Sequence, residues 1–204
     1  MITKDRNYRK FAFESRSEND KKVVVGMPVI FDRETVLWEH DGIEYKEKVA
    51  ATAFDGAKMD DVVLNIDHMG KPAAKTKNGT LRLEVRADGL YMEADLGQNA
   101  TGRELYEDIQ NGFYDKMSFS FAVSEESYDR DTHTRTILKF KQLYDVSAVT
   151  FPAYEQTNIS ARSWAEAQHE IEAAEAAAAE VAKRDAEVSK VEVLKLKNEI
   201  LGGL

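Results

Sequence analysis

Short apolar runs separated by turn residues dominate most of the chain. Residues 22–31 and 62–68 are rich in Val and Ile, the composition expected of buried strands. Between residues 81 and 86, Leu and Val alternate with charged side chains, which is the period-2 pattern of a half-buried strand. An Asp41–Gly42 pair between two further runs predicts a tight hairpin. These patterns predict a domain built mainly from short strands.

One internal segment, residues 99–112, follows a helical pattern instead. Leu105 and Ile109 are four residues apart, and Asn99 or Thr101 can cap the first turn. Strand patterns then return in three segments, which are residues 117–123, 135–146 and 147–151. Many strands with one internal helix predict an α+β fold that is mostly β, either a small barrel or a sandwich with attached helices.

The last part of the chain has a different composition and predicts one long helix. Residues 163–204 contain no Pro, 10 Ala, 9 acidic and 5 basic residues, and Ala, Glu and Lys are strong helix formers. Ser163 and Glu166 can form a capping box at its start. A partial heptad stripe follows, made of Val181, Val188, Val191, Leu194 and Leu201. We therefore predict two domains, residues 1–162 and 163–204, the second being either a solvated helix or a coiled-coil or scaffold-docking segment.

The overall composition excludes several classes of protein. Among 204 residues there is no Cys, which removes disulfide scaffolds, thiol nucleophiles and Cys-ligated metal sites. The 28 Lys and Arg against 37 Asp and Glu give a net charge of −9, and a nucleic-acid binder needs a basic surface instead. No apolar run approaches the roughly 18 residues of a membrane span, and the N-terminus has no apolar signal-peptide core. We therefore expect a soluble intracellular protein.

A serine nucleophile is the chemistry that fits the sequence best. Glycine-rich phosphate loops are absent and the four His residues are not paired at metal-ligand spacing, so we expect neither a cofactor nor a metal. If residues 117–123 form a strand, Met117 and Phe119 face one side while Ser118 and Ser120 face the other. The apolar face can anchor the strand in the core, and the hydroxyl face can then meet a substrate.

A serine nucleophile needs a base, and the base needs an orienting group. The best base candidate is His68, which follows the strand parity of Leu64 and Ile66 at the end of a predicted strand. A structural, hydrogen-bonded histidine fits the same position. Asp145 is an isolated carboxylate in an apolar strand, where burial requires a partner such as a histidine; a surface aspartate on an edge strand is the alternative.

Four short motifs follow one another along the chain, and they are Gly-Met-Pro-Val-Ile-Phe at 26–31, Asn-Ile-Asp-His at 65–68, Met-Ser-Phe-Ser-Phe at 117–121, and Asp-Val-Ser-Ala-Val-Thr-Phe-Pro-Ala at 145–153. Together, in this order, they resemble the prohead protease family of tailed bacteriophages, over roughly residues 8–162. The resemblance implies a serine endopeptidase with Ser118 as nucleophile, His68 as base and Asp145 as third member. Asp145 stands where the family commonly has Glu, and Ser120 stands where Gly is frequent.

The same resemblance implies a fold and a setting. The fold would be a small closed β-barrel with attached helices, similar to that of herpesvirus assembly proteases, and no cofactor would be needed. The enzyme would act in the host cytoplasm inside the assembling prohead, cutting scaffold or major capsid protein extensions and itself. Self-association fits this setting, whereas nucleic acid and membrane do not. Two rival hypotheses are a catalytically silent capsid-assembly scaffold or chaperone with the same fold, and a plain acidic binding module.

Overall fold

Ten strands and two α-helices make up the part of the chain that the computed structural model describes, which is residues 14–18, 21–150 and 157–202. The chain divides into two compact units, Met1–Ala161 and Arg162–Leu204. In chain order the elements are β1 (Glu14–Glu18), β2 (Lys21–Ile30), β3 (Thr35–His40), β4 (Ile43–Val49), β5 (Val63–Ile66), β6 (Met69–Lys75), β7 (Leu81–Arg86), β8 (Gly89–Asp95), α1 (Ala100–Gln110), β9 (Lys116–Asp129), β10 (Thr134–Val149) and α2 (Thr157–Gly202).

A four-stranded antiparallel sheet has the order β1-β2-β8-β7. The alternation predicted for residues 81–86 fades along β7, where Leu81 is buried, Leu83 is partly buried and Val85 is 41 % exposed. In β8, Leu90, Met92 and Ala94 are buried and the residues between them are at least partly exposed. Gly89 lies opposite the end of β2, and a Cβ there would stand 2.1 Å from the carbonyl oxygen of Val29. Only glycine fits this close approach of two backbones.

The second sheet is organised by β10, the longest strand. On one edge, β9 pairs antiparallel with almost the whole of β10. On the other edge, β4 pairs parallel with the first half of β10, and β5 pairs parallel with the last residues. Strands β3 and β6 then add to β4 and β5 as antiparallel hairpin partners. The C-terminal half of β10 is therefore a central strand between β5 and β9.

The expected closed barrel is wrong, because the described strands form two open sheets. Closure requires a continuous hydrogen-bonded ladder through every strand. At the corner where β2 leads to β3, the two sheets are instead joined by a backbone bond from Asp32 N–H to the Val49 carbonyl, 2.8 Å long. The remaining prediction, a mostly β fold with attached helices and a long C-terminal helix, is confirmed.

A shared core lies between the two sheets and α1. Its buried members come from β2, β5, β8, α1 and β10, and include Val24, Val29, Leu64, Leu90, Leu105, Phe140 and Val146. Strand β9 contributes Met117 and Phe119 to it, as its alternation predicts. Gly26 of β2 packs against this strand so closely that a Cβ would stand 2.5 Å from Met117 Sδ. This close contact positions Met117, the residue before Ser118, on the core-facing side of β9.

Helix α1 is held against β6 by its N-terminal cap. The Asn99 side chain accepts a hydrogen bond from Gly102 N–H at 2.7 Å and donates one to the Ala73 carbonyl at 3.0 Å. A Cβ on Gly102 would stand 2.5 Å from the Leu96 carbonyl oxygen, so the first turn packs directly on backbone. Asn99 is one of the two predicted caps, the other being Thr101, and it ties the helix to the hairpin formed by β5 and β6.

Three predicted boundaries differ from the structure. The strand expected over residues 62–68 ends at Ile66, and the segments 135–146 and 147–151 form one strand up to Val149, with residue 151 outside the described part. Helix α2 begins at Thr157, so Ser163 lies within the helix and is not its cap. No helix in the described part of the chain is long and apolar enough to cross a membrane.

Candidate active site

Three adjacent strands, β5, β10 and β9, form the floor of the candidate site. Asn65 of β5, Ser147 of β10 and Ser118 of β9 are Cα partners in one row across these strands. Asp145 and Ser120 are partners two residues further along. Because paired residues and residues two apart face the same side of a sheet, these five polar side chains share one face.

The opposite face of the same strands belongs to the core. Leu64, Val146 and Phe119 alternate with the polar residues and are buried. Phe119 also stacks on Phe121 and meets Phe140 edge-on, with ring centroids 4.9 and 6.2 Å apart. This packing holds the strands firmly from below, so the polar face is presented on a rigid support.

His68 enters this face from a turn rather than from a strand. Ile66 pairs with Met69, and the two residues between them, Asp67 and His68, have φ angles of +47° and +59°. Two consecutive positive φ values define a type I′ hairpin turn, and Asp and His tolerate this region better than most residues. The expectation that His68 follows the strand parity of Leu64 is therefore wrong.

The turn is fastened to the end of β10. Asp67 donates its backbone N–H to the Ala148 carbonyl at 3.0 Å, and its carboxylate accepts a bond from Thr150 N–H at 3.4 Å. These two contacts extend the β5–β10 pairing beyond the last strand residue. They fix the backbone from which His68 projects, and strained turn residues of this kind are frequent at active sites.

His68 and Asp145 are in direct contact. Nδ1 of His68 lies 2.6 Å from Oδ1 of Asp145. Asp145 is only 8 % exposed, so its charge is compensated chiefly by protein groups. A carboxylate can only accept hydrogen bonds, and therefore the proton of this contact belongs to His68 Nδ1. In the neutral ring the other nitrogen, Nε2, is then an acceptor.

A second donor, the hydroxyl of Ser147, binds the same carboxylate. Ser147 is fully buried, its Oγ lies 2.8 Å from Asp145 Oδ1, and the same Oγ is 3.3 Å from His68 Nδ1. Asp145 Oδ1 thus accepts from both the imidazole and the serine. This three-residue network satisfies a buried carboxylate that would otherwise be costly.

Two buried polar atoms at the site have no hydrogen-bond partner within the described residues. They are His68 Nε2 and Asn65 Oδ1. Buried polar atoms are normally satisfied, and exceptions deserve a functional explanation. An acceptor nitrogen without a partner, on a ring oriented by a carboxylate, is what proton abstraction requires.

Ser118 lies on the same face but has no hydrogen bond to His68 within residues 21–150. It is partly exposed, unlike Ser147 beside it. The structure therefore joins two of the three predicted site residues by a direct contact and places the third in the neighbouring strand. Catalytic hydrogen bonds are often long or poorly aligned in the absence of substrate and tighten when it binds.

The electrostatic surroundings of the turn are acidic. Tyr114, in the loop between α1 and β9, has a raised pKa because it is partly buried and because Asp67 and Asp108 carry negative charge nearby. It therefore stays neutral at physiological pH. Within the described residues no group of three or more His, Asp or Glu could hold a metal ion.

Ser147, Asn65 and Asp67 are site residues that the sequence pattern did not predict. A signal for Ser147 was present, since residues two apart in a strand share a face, and Ser147 follows Asp145 by two. Asn65 could be found in the same way once β5 is paired with β10. Asp67 required the turn geometry, which no local pattern records.

The chain was compared with known protein families, curated proteins and solved structures. A family model described as Caudovirus prohead serine protease matches residues 10–170. The match includes all the strands that build the floor of the site. No curated protein and no solved structure matches the chain.

Proposed function

The chain belongs to the Caudovirus prohead serine protease family, and we propose that it hydrolyses peptide bonds with Ser118, His68 and Asp145. Membership supports a maturation role inside the phage prohead, in company with capsid and scaffold proteins. The proposed substrates are extensions of those scaffold or capsid proteins, and the chain itself. The observation that carries the proposal is the 2.6 Å contact of His68 Nδ1 with Asp145, which leaves Nε2 as an unpartnered acceptor.

Ser118 is the best nucleophile among the three serines of this face. Ser147 is fully buried and already bonded to Asp145, so a substrate carbonyl has no access to it. Ser120 is the row partner of Asp145, whereas Ser118 is the row partner of Ser147. The turn that carries His68 is fastened to Ala148 and Thr150, and along β10 these residues are nearer to the Ser118–Ser147 row than to the Ser120–Asp145 row. Their position favours Ser118 over Ser120.

The proposed mechanism assigns each proton to an atom. His68 Nε2 takes the proton of Ser118 Oγ while that oxygen bonds to the carbonyl carbon of the scissile peptide. Asp145 keeps the ring oriented through Nδ1–H and stabilises the imidazolium. The imidazolium then protonates the leaving amine as the C–N bond breaks, and water hydrolyses the acyl-enzyme by the same route. The three side chains and water account for every bond that forms or breaks.

A fluorophosphonate probe, which labels activated serines, tests the assignment without a known substrate. We expect the full-length wild-type chain to be labelled, and Ser118→Ala to lower both labelling and peptide cleavage by a factor on the order of 10⁴ or more. Ser120→Ala is the matched control, because it removes a hydroxyl from the same face of the same strand. Labelling that survives in Ser118→Ala and disappears in Ser120→Ala would reverse the assignment.

Self-cleavage and substrate choice need a second experiment. A tagged Ser118→Ala chain serves as an inert substrate and is mixed with untagged wild-type chain, then with the capsid and scaffold proteins of the same phage. We expect the wild type to shorten these proteins and Ser118→Ala to leave them intact. If the wild type is labelled by the probe but cleaves none of them, the serine chemistry stands and the proposed substrates are wrong. If it is neither labelled nor active, the silent scaffold or chaperone hypothesis is favoured.

Helix α2 is the proposed docking segment for the scaffold. Val181 and Val188 are seven residues apart and remain 59 % and 54 % exposed, as a partial heptad stripe predicts. We expect Val181→Glu with Val188→Glu to reduce incorporation of the full chain into proheads. Ala179→Glu with Ala186→Glu is the matched control, because both are exposed positions on the other side of the helix. Equal incorporation of both double variants would contradict docking through this stripe.

A further inference from the structure

We propose that Ser147 is a positioning residue for catalysis, acting on His68 through Asp145. The inference rests on the proposed triad and adds a fourth member to it. Ser147 lies in the centre of the sheet, with Asn65 on one side and Ser118 on the other. Its side chain therefore stands between the strand that leads to the base and the strand that carries the nucleophile.

The hydrogen bonds of Ser147 have a defined direction. Asp145 can only accept, so the hydroxyl donates its single proton to Oδ1 across 2.8 Å. The oxygen of the hydroxyl then turns its lone pairs towards His68 Nδ1, 3.3 Å away. Two acceptors, Asp145 Oδ1 and Ser147 Oγ, consequently face the same ring nitrogen.

This arrangement favours one tautomer of His68. A proton on Nδ1 meets the carboxylate at 2.6 Å and the serine oxygen at 3.3 Å, whereas a bare Nδ1 would face two electron-rich oxygens. With the proton on Nδ1, Nε2 is the acceptor that Ser118 needs. The hydroxyl of Ser147 also limits rotation of the Asp145 carboxylate, because it binds the same oxygen as the imidazole.

Because Ser147 is buried, it can affect catalysis only by positioning other side chains. Ser147 has no exposed surface, so it touches no substrate and cannot change substrate affinity directly. Loss of its hydroxyl would leave Asp145 with one donor fewer and a looser carboxylate. The expected result is a lower kcat with an unchanged KM, because the base is misoriented while the binding surface is intact.

Two variants with side chains of equal shape test the contribution of the Ser147 hydroxyl alone. Ser147→Thr and Ser147→Val add the same branched bulk to the buried position and differ only in that Thr keeps the donor. We expect kcat to be about tenfold lower in Ser147→Val than in Ser147→Thr, as for the loss of a hydrogen bond to a charged group, with equal KM. Ser124→Ala is the control for removing a hydroxyl elsewhere, since its Oγ bonds to the Lys139 carbonyl.

A spectroscopic measurement follows the same pair of variants without substrate. The Nδ1–H proton of His68 should give a downfield resonance by NMR in the wild type and in Ser147→Thr, shifted or exchange-broadened in Ser147→Val. Equal kcat and equal resonances in the two variants would overturn the inference, and so would a change confined to KM. If Ser118→Ala abolishes activity while the Thr and Val variants behave alike, the triad stands and only the role of Ser147 is lost. If Ser118→Ala remains active, the triad itself has failed.

Discussion

Each half of β10 takes part in neutralising a buried carboxylate, and the two halves do so in different ways. In the first half, Glu47 of β4 is 6 % exposed and accepts a hydrogen bond from Arg135 at 3.1 Å. Arg135 also pairs with Glu126 of β9. In the second half, Asp145 is 8 % exposed and is bonded to His68 and Ser147.

The two carboxylates differ in the basic side chain that binds each of them, Arg135 in one case and His68 in the other. Arg135 is always charged, and its planar fork of donors binds carboxylates on both neighbouring strands. An imidazole, unlike a guanidinium, has a neutral form with one acceptor nitrogen, and within the described residues Nε2 of His68 has no partner. The first pair is therefore a permanent bridge across three strands, while the second leaves an acceptor nitrogen available.

The comparison shows how one strand supports both stability and chemistry. A fully compensated ion pair has no spare donor or acceptor, so it only holds strands together. The pair at the other end keeps an acceptor free on a ring that is held rigidly by its carboxylate. Functional sites commonly depart from full polar satisfaction in this way, and variants of the two carboxylates should separate the two roles.

The largest expected effect is on activity at the second half of β10. Asp145→Asn keeps the size of the side chain but removes the charge that orients and stabilises His68, so cleavage should fall by about 10⁴-fold. The thermal unfolding midpoint should change little. The matched variant Glu47→Gln removes the buried carboxylate of β4 that pairs with the first half of β10, and there kcat should stay within about twofold of wild type. Comparable losses of kcat in both variants would show that the two halves are not functionally distinct.

A smaller effect, on stability, is expected at the first half. Arg135→Met leaves Glu47 buried without its guanidinium, and breaking a buried pair in this way lowers the free energy of unfolding by about 3–5 kcal/mol. Urea denaturation measures the loss, and Arg135→Lys, which keeps the charge, should lose less. The kcat of the folded fraction should remain that of the wild type. An Arg135→Met chain as stable as the wild type would mean that the bridge does not hold the strands.

The smallest effect is expected at the turn that carries His68. Asp67→Ala removes the acceptor for Thr150 N–H and places Ala at φ +47°, a conformation that costs Ala about 1 kcal/mol. We expect a few-fold loss of kcat with little change in KM. Asp67→Asn keeps an acceptor oxygen and tolerates positive φ, so it should resemble the wild type. Equal kcat in the Ala and Asn variants would contradict the fastening role of Asp67.

Much of this fold could be predicted from local patterns. The Asp41–Gly42 hairpin, the Asn99 cap and the two faces of β9 depend on residues close in sequence, and the structure has all three. Sheet closure depends on which distant strands share hydrogen bonds. No alternation of side chains records this, and the patterns left barrel and sandwich open. The closed barrel that the family resemblance implied is wrong, while most of the predicted strands are present.

The same division applies to the site. Asp145 was found because a lone carboxylate in an apolar strand needs a partner, and His68 is that partner. The strand parity assigned to His68 failed because the strand ends at Ile66 and the next two residues adopt positive φ. Ser147 was missed because a serine in a strand carries no signal until its neighbours are known. Local chemistry therefore indicated the residues, and pairing between strands determined how they meet.

The pairing of β10 with β5 also determines the stage of folding at which the site can form. His68 and Asp145 are separated by 77 positions in the chain, and closing so long a loop must precede any contact between them. The proposed base can acquire its orienting carboxylate only after β10 has inserted between β5 and β9. A partly folded chain, including one still emerging from the ribosome before residue 145, contains the serine and the histidine but lacks their paired arrangement. Under the proposed function, completion of the sheet therefore delays proteolysis.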